Sequence, residues 1–318
     1  MNRRDTKAAS EGVSIVIPVY KSSETLPELV ERLHRVFDSC GRSFEAVLID
    51  DASPDDTWQV LVRLKSRYPK TLRIARLAKN SGQHSAILCG FSLAEGDVVL
   101  TMDDDLQNPP EEIPKLLDAI DAGYDLVIGA YEAKQHSAMR NVSGGLVDRI
   151  LRSIFGLPRE FQLTSFRAAR RHVVQSVKEM GGAYPYVTAM LLSQASRYKN
   201  VHVRHDPRRH GVSNYNLKRS ANLAANLLLS YSALPVMMVG SLCLGAFVFS
   251  IVFGGWIALR ALLEGSSVQG WASTMVVLSF FNALVLLCLF VFSIYLSRMN
   301  QQLTRSRTRF TIAELRDV

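Results

Sequence analysis

The run Thr101-Met102-Asp103-Asp104-Asp105-Leu106-Gln107-Asn108-Pro109-Pro110-Glu111-Glu112 decides how the rest of this chain is read. It continues Val98–Met102, a short apolar and β-branched run of the kind that forms a buried strand. Three consecutive carboxylates at a strand end repel one another and raise one another's pKa unless a cation is present. Oxygen-only ligands favour Mg²⁺ or Mn²⁺, held by one or two carboxylates together with the phosphates of a substrate. In an extended segment Asp103 and Asp105 share a face while Asp104 points away. Taken alone, the three carboxylates could equally be a solvated turn capping the helix that begins near Pro110.

The pattern around this run is an alternation of strands and helices. Val13–Val19 reads as a buried strand, and Leu26–Phe37 has helical periodicity through Leu26, Leu29, Val30, Leu33 and Phe37. Glu45–Ile49 is a second strand ending directly in Asp50-Asp51. Ser53-Pro54-Asp55-Asp56 supplies turn and cap chemistry for a helix marked by Val60, Leu61 and Leu64. Leu72–Leu77, Val98–Met102 and Asp125–Gly129 read as further strands, with helices over Ser85–Leu93 and Ile113–Ile120. Such alternation predicts an α/β fold with a mainly parallel sheet covered by helices on both faces. Ligands of such sheets bind beyond the carboxyl ends of the strands. Tyr20, Asp50, Asp51 and Asp103–Asp105 all fall there, so three clusters predict one site, and the solvated-turn reading loses weight. Past residue 130 the strand pattern fades, and Arg140–Phe155 reads as an amphipathic helix.

The last third of the chain has a different composition. Charged residues make up 21% of the chain, yet none occurs over Ser220–Leu259 or Gly265–Ser297. Pro235–Leu259 and Gly270–Leu296 are each about 25 residues long, enough at roughly 1.5 Å per residue to cross a hydrocarbon core of about 30 Å. They predict a transmembrane hairpin. Lys218 and Arg219 precede it, Arg298, Arg305, Arg307 and Arg309 follow it, and its loop carries Arg260 and Glu264. The positive-inside rule then places both termini, and the soluble domain, in the cytoplasm. No secretory signal is visible in the polar stretch Met1–Glu11. Leu217–Ser232 carries Asn222, Asn226 and Ser230 four apart on an apolar background, as in a helix lying in the membrane interface or packed on the domain. The expected organisation is a polar tail over 1–12, a catalytic domain over 13–216, an interfacial helix over 217–233, two spans within 234–297 and a basic tail over 298–318.

The net charge of +8 fits anionic lipid headgroups and phosphate ligands, and no nucleic-acid motif accompanies it. Cys40, Cys89, Cys243 and Cys288 show neither metal spacing nor a disulfide framework, which fits a reducing compartment. A second basic constellation, Arg208-Arg209-His210-Gly211-Val212-Ser213-Asn214-Tyr215, precedes the first apolar span. Arginine forks suit phosphate, and Ser213 could donate to a phosphate oxygen; the plainer reading is a juxtamembrane stretch attracted to anionic lipid.

The acidic run, the upstream Asn80-Ser81-Gly82-Gln83-His84-Ser85-Ala86-Ile87 and Val16-Ile17-Pro18-Val19-Tyr20 together resemble family-two glycosyltransferases of the polyprenyl-phosphate branch. The resemblance covers roughly residues 13–235 and extends to the two spans behind them. It implies a GT-A type domain, a nucleotide-diphosphate sugar as donor, a polyprenyl phosphate (undecaprenyl phosphate in bacteria) as acceptor, and a homo-oligomer. It also implies roles for matching positions. Pro18, Tyr20 and Asp50 hold the nucleoside, while Asp103, Asp105 and Gln107 meet the metal and the donor diphosphate. Asp51, Gln83 and Asp104 join the donor-binding set. Arg208, Ser213 and Tyr215 close over the diphosphate or the acceptor phosphate. Arg140 lies where the family places a basic residue near the acceptor phosphate, and Arg167 and Arg170 match an Arg-rich segment after the last sheet strand that joins the donor-binding set through Arg167. The chain departs from the family at Lys21-Ser22, where Asn-Glu is usual, and at Asn214, where Lys is usual. Gln194-Ala195-Ser196-Arg197-Tyr198 resembles the QxxRW motif of processive polysaccharide synthases but lacks its Trp, and reads as chance. Two rival readings remain at this stage: transfer to a saccharide or lipid hydroxyl, and a catalytically silent membrane scaffold.

Overall fold

A computed structural model describes residues 12–131, 152, 156–158, 160–180, 185–207, 239–242, 245–246, 248–249, 252, 263, 270–304 and 310–317. The chain divides into two units, one made of 1–221 and 305–318 and the other of 222–304.

In the first unit the elements run β1 (Val13–Val19), α1 (Leu26–Cys40), β2 (Phe44–Asp50), α2 (Thr57–Arg67), β3 (Leu72–Leu77), α3 (Gln83–Leu93), β4 (Val98–Thr101), α4 (Ile113–Asp121), β5 (Leu126–Tyr131), β6 (Arg167–Arg170), α5 (Arg171–Glu179), α6 (Val187–Gln194) and β7 (Tyr198–Val203). The second unit contains α7 (Trp271–Thr304), and the chain then adds β8 (Ile312–Arg316) to the first unit. Eight strands form one sheet in the order β7-β5-β6-β4-β1-β2-β3-β8. The pairings β1–β2, β1–β4, β2–β3 and β5–β7 are parallel, while β6 and β8 run antiparallel to their neighbours. The order reverses at β1, with β2 on one side and β4 on the other, so a crevice opens above their carboxyl ends.

Burial explains why these segments adopt these forms. All seven residues of β1 are buried, as a central strand covered on both faces requires. Helix α1 buries Leu26, Leu29, Val30, Leu33, Val36 and Phe37, one stripe at helical spacing. Each fully buried Leu in that stripe contributes about 1.5–3 kcal/mol. The helix stops at Gly41, whose φ of 63° suits a residue without Cβ, and whose N–H donates to Phe37 O at 3.0 Å. Helix α3 packs so closely on β1 that a Cβ on Gly90 would collide with the Val16 side chain.

The predicted strands and helices up to Tyr131 are all present, with ends shifted by a few residues. What lies beyond was missed: β6, α5, α6 and β7. Strand β6 (Arg167-Ala168-Ala169-Arg170) has none of the β-branched enrichment that marks a strand, and β7 is only half-buried. The segment read as a basic tail also needs correcting. Helix α7 continues to Thr304, and β8 hydrogen-bonds to β3 with Ala75 opposite Leu315. The buried Arg73 guanidinium forms ion pairs with Asp317, with Glu95 at 2.9 Å and with Glu45 at 3.7 Å. Among the described residues no helix is long and apolar enough to count as a membrane span, so the structure does not establish the hairpin. Helix α7 itself runs 34 residues, with Leu278, Phe280, Leu286 and Phe292 exposed along it. The interfacial helix, most of the first apolar stretch and the helix expected over Arg140–Phe155 lie mainly or wholly outside the described residues.

Candidate active site

Above the carboxyl ends of β1, β2 and β4 the backbone is strained in three places. Lys21 (φ 57°), Ala52 (φ 55°) and Leu106 (φ 61°) are the non-glycine residues with left-handed φ among those described. Each such residue costs about 1–3 kcal/mol and persists only where surrounding contacts over-determine it. Each follows a different strand, and all three strands end at the same crevice.

The β1 and β4 loops are clasped through Asp104. Its Oδ2 accepts from Tyr20 N–H at 3.1 Å and from the Ser22 hydroxyl at 2.5 Å, and its carbonyl accepts from the Thr25 hydroxyl at 2.7 Å. The carboxylate lies deeper than the residue as a whole, which is part-exposed. Burial pushes it up to about 7, opposed by the Ser22 and Tyr20 hydrogen bonds and reinforced by Asp103 and Asp105. Asp104 therefore points away from its two neighbours, as extended geometry predicts, and it holds the loops together. Ser22, where the family resemblance leads one to expect Glu, takes part in the clasp.

Asp50 and Asp51 are occupied by their own framework. Asp50 is fully buried; Oδ1 accepts from Ser53 N–H at 2.9 Å, and Oδ2 lies 3.1 Å from Arg76 Nε. Burial raises its pKa, partly offset by Ser53 and Arg76. Asp51, 4% exposed, accepts from Ser81 N–H at 2.7 Å on one oxygen and from Gly82 N–H at 2.8 Å on the other. Asp51 thus acts as a brace for the turn into α3. That turn needs Gly82, whose φ of 87° and ψ of 155° are open to glycine alone. It delivers Gln83, whose side-chain amide donates to Asp103 Oδ1 at 2.7 Å. The Ser165 hydroxyl donates to Asp103 Oδ2 at 2.5 Å.

Asp105 Oδ1 accepts from Gln107 N–H at 3.2 Å. The Tyr131 phenol, raised in pKa chiefly by burial, lies in the field of both Asp103 and Asp105. Both carboxylates thus lie within electrostatic range of one phenol at the crevice. Among the described residues no three His, Cys, Asp or Glu side chains gather into a complete metal cage. Two hard carboxylates and an amide fit a Mg²⁺-like or Mn²⁺-like ion, which usually completes its shell with water and substrate phosphates. Asp103, Asp105 and Gln107 are the residues that would hold it.

Arg167 is part of the sheet. It lies within β6, opposite Thr101, and is 2% exposed. Its Nε donates to Thr101 Oγ1 at 3.0 Å, and Nη1 donates to the Thr188 hydroxyl. Burial lowers its pKa to about 10, against smaller opposing effects of Tyr186 and Asp103. It is a buried cation beneath the acidic loop. Pro18 is likewise buried within β1, whereas Tyr20 is 44% exposed at the rim. Arg140, Arg208, Ser213 and Tyr215 fall outside the described residues. The Arg197 side chain covers the Tyr124 ring at 5.2 Å, near the amino ends of β5 and β7 and away from the crevice, which agrees with reading Gln194–Tyr198 as chance. Sequence reasoning missed Ser22, Ser165, Tyr131 and His205 as parts of the site. Only Ser22 had a signal, its departure from the family pattern.

The fold and the acidic loop define a glycosyltransferase domain of the GT-A type. Glucosyl-3-phosphoglycerate synthase from Mycobacterium tuberculosis, solved with Mn²⁺, UDP and phosphoglyceric acid, superposes with a TM-score of 0.51 at 18% identity, over 70% of this chain and 77% of that one. The same enzyme with Mn²⁺ and UDP-glucose gives 0.51 at 20% identity, over 69% and 79%. Residues 14–173 match the family model described as Glycosyl transferase family 2, and the chain belongs to that family. Undecaprenyl-phosphate 4-deoxy-4-formamido-L-arabinose transferase of Shewanella sediminis is 32% identical over 305 residues, covering 95% of this chain and 92% of its own. The enzyme of the same name from Pseudomonas syringae pv. syringae is also 32% identical over 305 residues, covering 95% and 90%.

Proposed function

We propose that this enzyme transfers a sugar from a nucleotide-diphosphate donor to a polyprenyl phosphate, in bacteria undecaprenyl phosphate, at the cytoplasmic face of a membrane. The observation that carries the reading is the acidic loop itself, with Asp103 held by Gln83 and Ser165 and Asp105 by Gln107 N–H, above the point where the sheet order reverses. The relatives named as undecaprenyl-phosphate transferases, matched along 95% of the chain, supply the acceptor class.

The reaction is a single inverting displacement. An oxygen of the acceptor phosphate attacks the anomeric carbon, the bond from that carbon to the donor diphosphate breaks, and the nucleoside diphosphate leaves with the bonding electrons. The acceptor phosphate is already anionic at neutral pH, so no carboxylate has to remove a proton. A divalent ion at Asp103, Asp105 and Gln107 would supply charge stabilisation to the departing diphosphate. The protein's own part is positioning. Gln83 and Ser165 hold Asp103, Asp104 ties the Tyr20 rim to the acidic loop, and Asp206 N–H holds Gln107 O at 2.9 Å. The chain passes from Asp206 directly into the Arg208–Tyr215 stretch, which is suited to receive phosphate.

Membrane attachment through 234–297 belongs to the same proposal. Its support is the absence of charge over Gly265–Ser297, the length of α7 and its exposed Leu and Phe side chains. The return of β8 to the sheet supports an even number of crossings, with both ends of the intervening segment on one side of the membrane. Mass spectrometry of the lipid product made by purified protein from undecaprenyl phosphate and a panel of nucleotide sugars tests the reading. A mass increment of one sugar on the lipid phosphate is expected with one donor, together with loss of turnover and of divalent-ion dependence in Asp105→Asn. Sugar found on a hydroxyl acceptor instead, or full turnover in Asp105→Asn, would overturn it.

A further inference from the structure

His205 leaves the end of β7 and lies against the loop that follows the three aspartates. Its ring stacks on Tyr131 with centroids 4.0 Å apart and planes 27° apart. Its Nε2 lies 3.5 Å from the Gln107 side-chain nitrogen. With the amide oriented as it is here, its nitrogen donates and the imidazole Nε2 accepts, in the tautomer that carries its proton on Nδ1. The next residue repeats the attachment, since Asp206 N–H donates to Gln107 O. Tyr131, whose ring stacks on the imidazole, donates its hydroxyl to Asn108 Oδ1 at 2.8 Å. Gln107 and Asn108 are thus braced from β5 and β7 by a ring stack, a side-chain hydrogen bond and a backbone hydrogen bond.

We infer that His205 is a positioning residue that sets the orientation of the Gln107 amide, turning its Oε1 toward the cation held by Asp103 and Asp105. With Nε2 of Gln107 committed to the imidazole, Oε1 is the amide atom left for a hard cation. A free glutamine side chain samples several rotamers and presents either amide atom. Fixing it removes that entropic cost from cation binding, which is how outer-shell partners typically act. The contact also explains why a histidine should be stacked there: the Tyr131 ring fixes the imidazole plane, and the imidazole fixes the amide.

This inference rests on the cation reading of the acidic loop, and the test separates the two. Mn²⁺ binding to the purified full-length protein is measured from the loss of the free-ion electron paramagnetic resonance signal, without any sugar or lipid. His205→Phe keeps a flat ring on Tyr131 and loses the acceptor; His205→Gln restores an acceptor oxygen; His205→Ala only removes atoms and guards against misfolding of the Phe variant. The expected result is a dissociation constant raised about 10- to 100-fold in His205→Phe and His205→Ala, with His205→Gln recovering most of the loss. Asp105→Asn is the control. If it loses Mn²⁺ while His205→Phe binds as tightly as wild type, the His205 role is wrong and the cation site stands. If Asp105→Asn binds Mn²⁺ normally, the cation reading fails with it. Equal loss in His205→Phe and His205→Gln would also overturn the positioning role, because restoring the acceptor would have restored nothing.

Discussion

Replacing Asp51 with alanine removes the two contacts that hold the turn before α3. Each carboxylate oxygen accepts one backbone N–H, Ser81 at 2.7 Å and Gly82 at 2.8 Å, and hydrogen bonds to an ionised group contribute about 1.5–3 kcal/mol each. Two of them set a ceiling of roughly 3–6 kcal/mol, but Gly82 is exposed and water can replace part of what is lost. A net loss of about 3 kcal/mol is the working figure. For a domain of this size it lowers the thermal midpoint by roughly 6–12 °C. Asp51→Asn should do no better, since its amide nitrogen would face one of the two N–H donors. Function suffers separately: once the turn relaxes, Gln83 no longer holds Asp103, so the KM for the donor should rise more than the KM for the lipid acceptor. Differential scanning fluorimetry and transfer assays across donor concentration read both effects. An Asp51→Ala protein with an unchanged melting midpoint and an unchanged donor KM would refute the bracing argument.

Three further outcomes follow from the packing and the buried titratable groups. Gly90→Ala inserts a methyl group into Val16 at the α3–β1 contact and should cost about 1–3 kcal/mol, read from the melting midpoint; a midpoint equal to wild type would show that the two elements can part without loss. The His84 ring is held down to about 4 by burial and by Arg167, against 6.5 when unfolded, so between those values the unfolded chain binds a proton that the folded one does not. Stability should therefore fall as pH drops from about 6.5 toward 4, by on the order of 1–3 kcal/mol once the part-exposure of the residue is discounted. His84→Gln should flatten that slope, and an identical slope in both proteins would exclude His84 as its source. The Cys89 thiol is pushed up to about 12 by burial, so iodoacetamide at pH 8 should label exposed Cys40 and leave Cys89 untouched until denaturant is added. Peptide mass spectrometry decides this, and early labelling of Cys89 would refute it.

The first half of the fold was legible because its signals are local. A β-branched run with no charge, such as Val13–Val19, can satisfy its side chains only inside a parallel sheet, and the periodicity of Leu26–Phe37 can bury only one helical stripe. The position of the acidic loop followed from the same logic, because residues after parallel strands gather at one edge of the sheet. Tertiary structure alone decided what each carboxylate does there. Asp50, Asp51, Asp103, Asp104 and Asp105 are chemically alike in the sequence. Their roles differ because partners up to 84 positions away meet them: Tyr20 at Asp104, Ser165 at Asp103, Ser81 and Gly82 at Asp51. Arg167 shows the same limit from the other side, since the arginine that looks suited to phosphate is buried beneath the loop. Strand β8 joins β3 across more than 230 residues of chain, and the Tyr131–His205 pair exists because β5 and β7 lie side by side. Composition and periodicity report what a segment must bury, whereas hydrogen-bond partners are set by which strands become neighbours, and no local pattern encodes that.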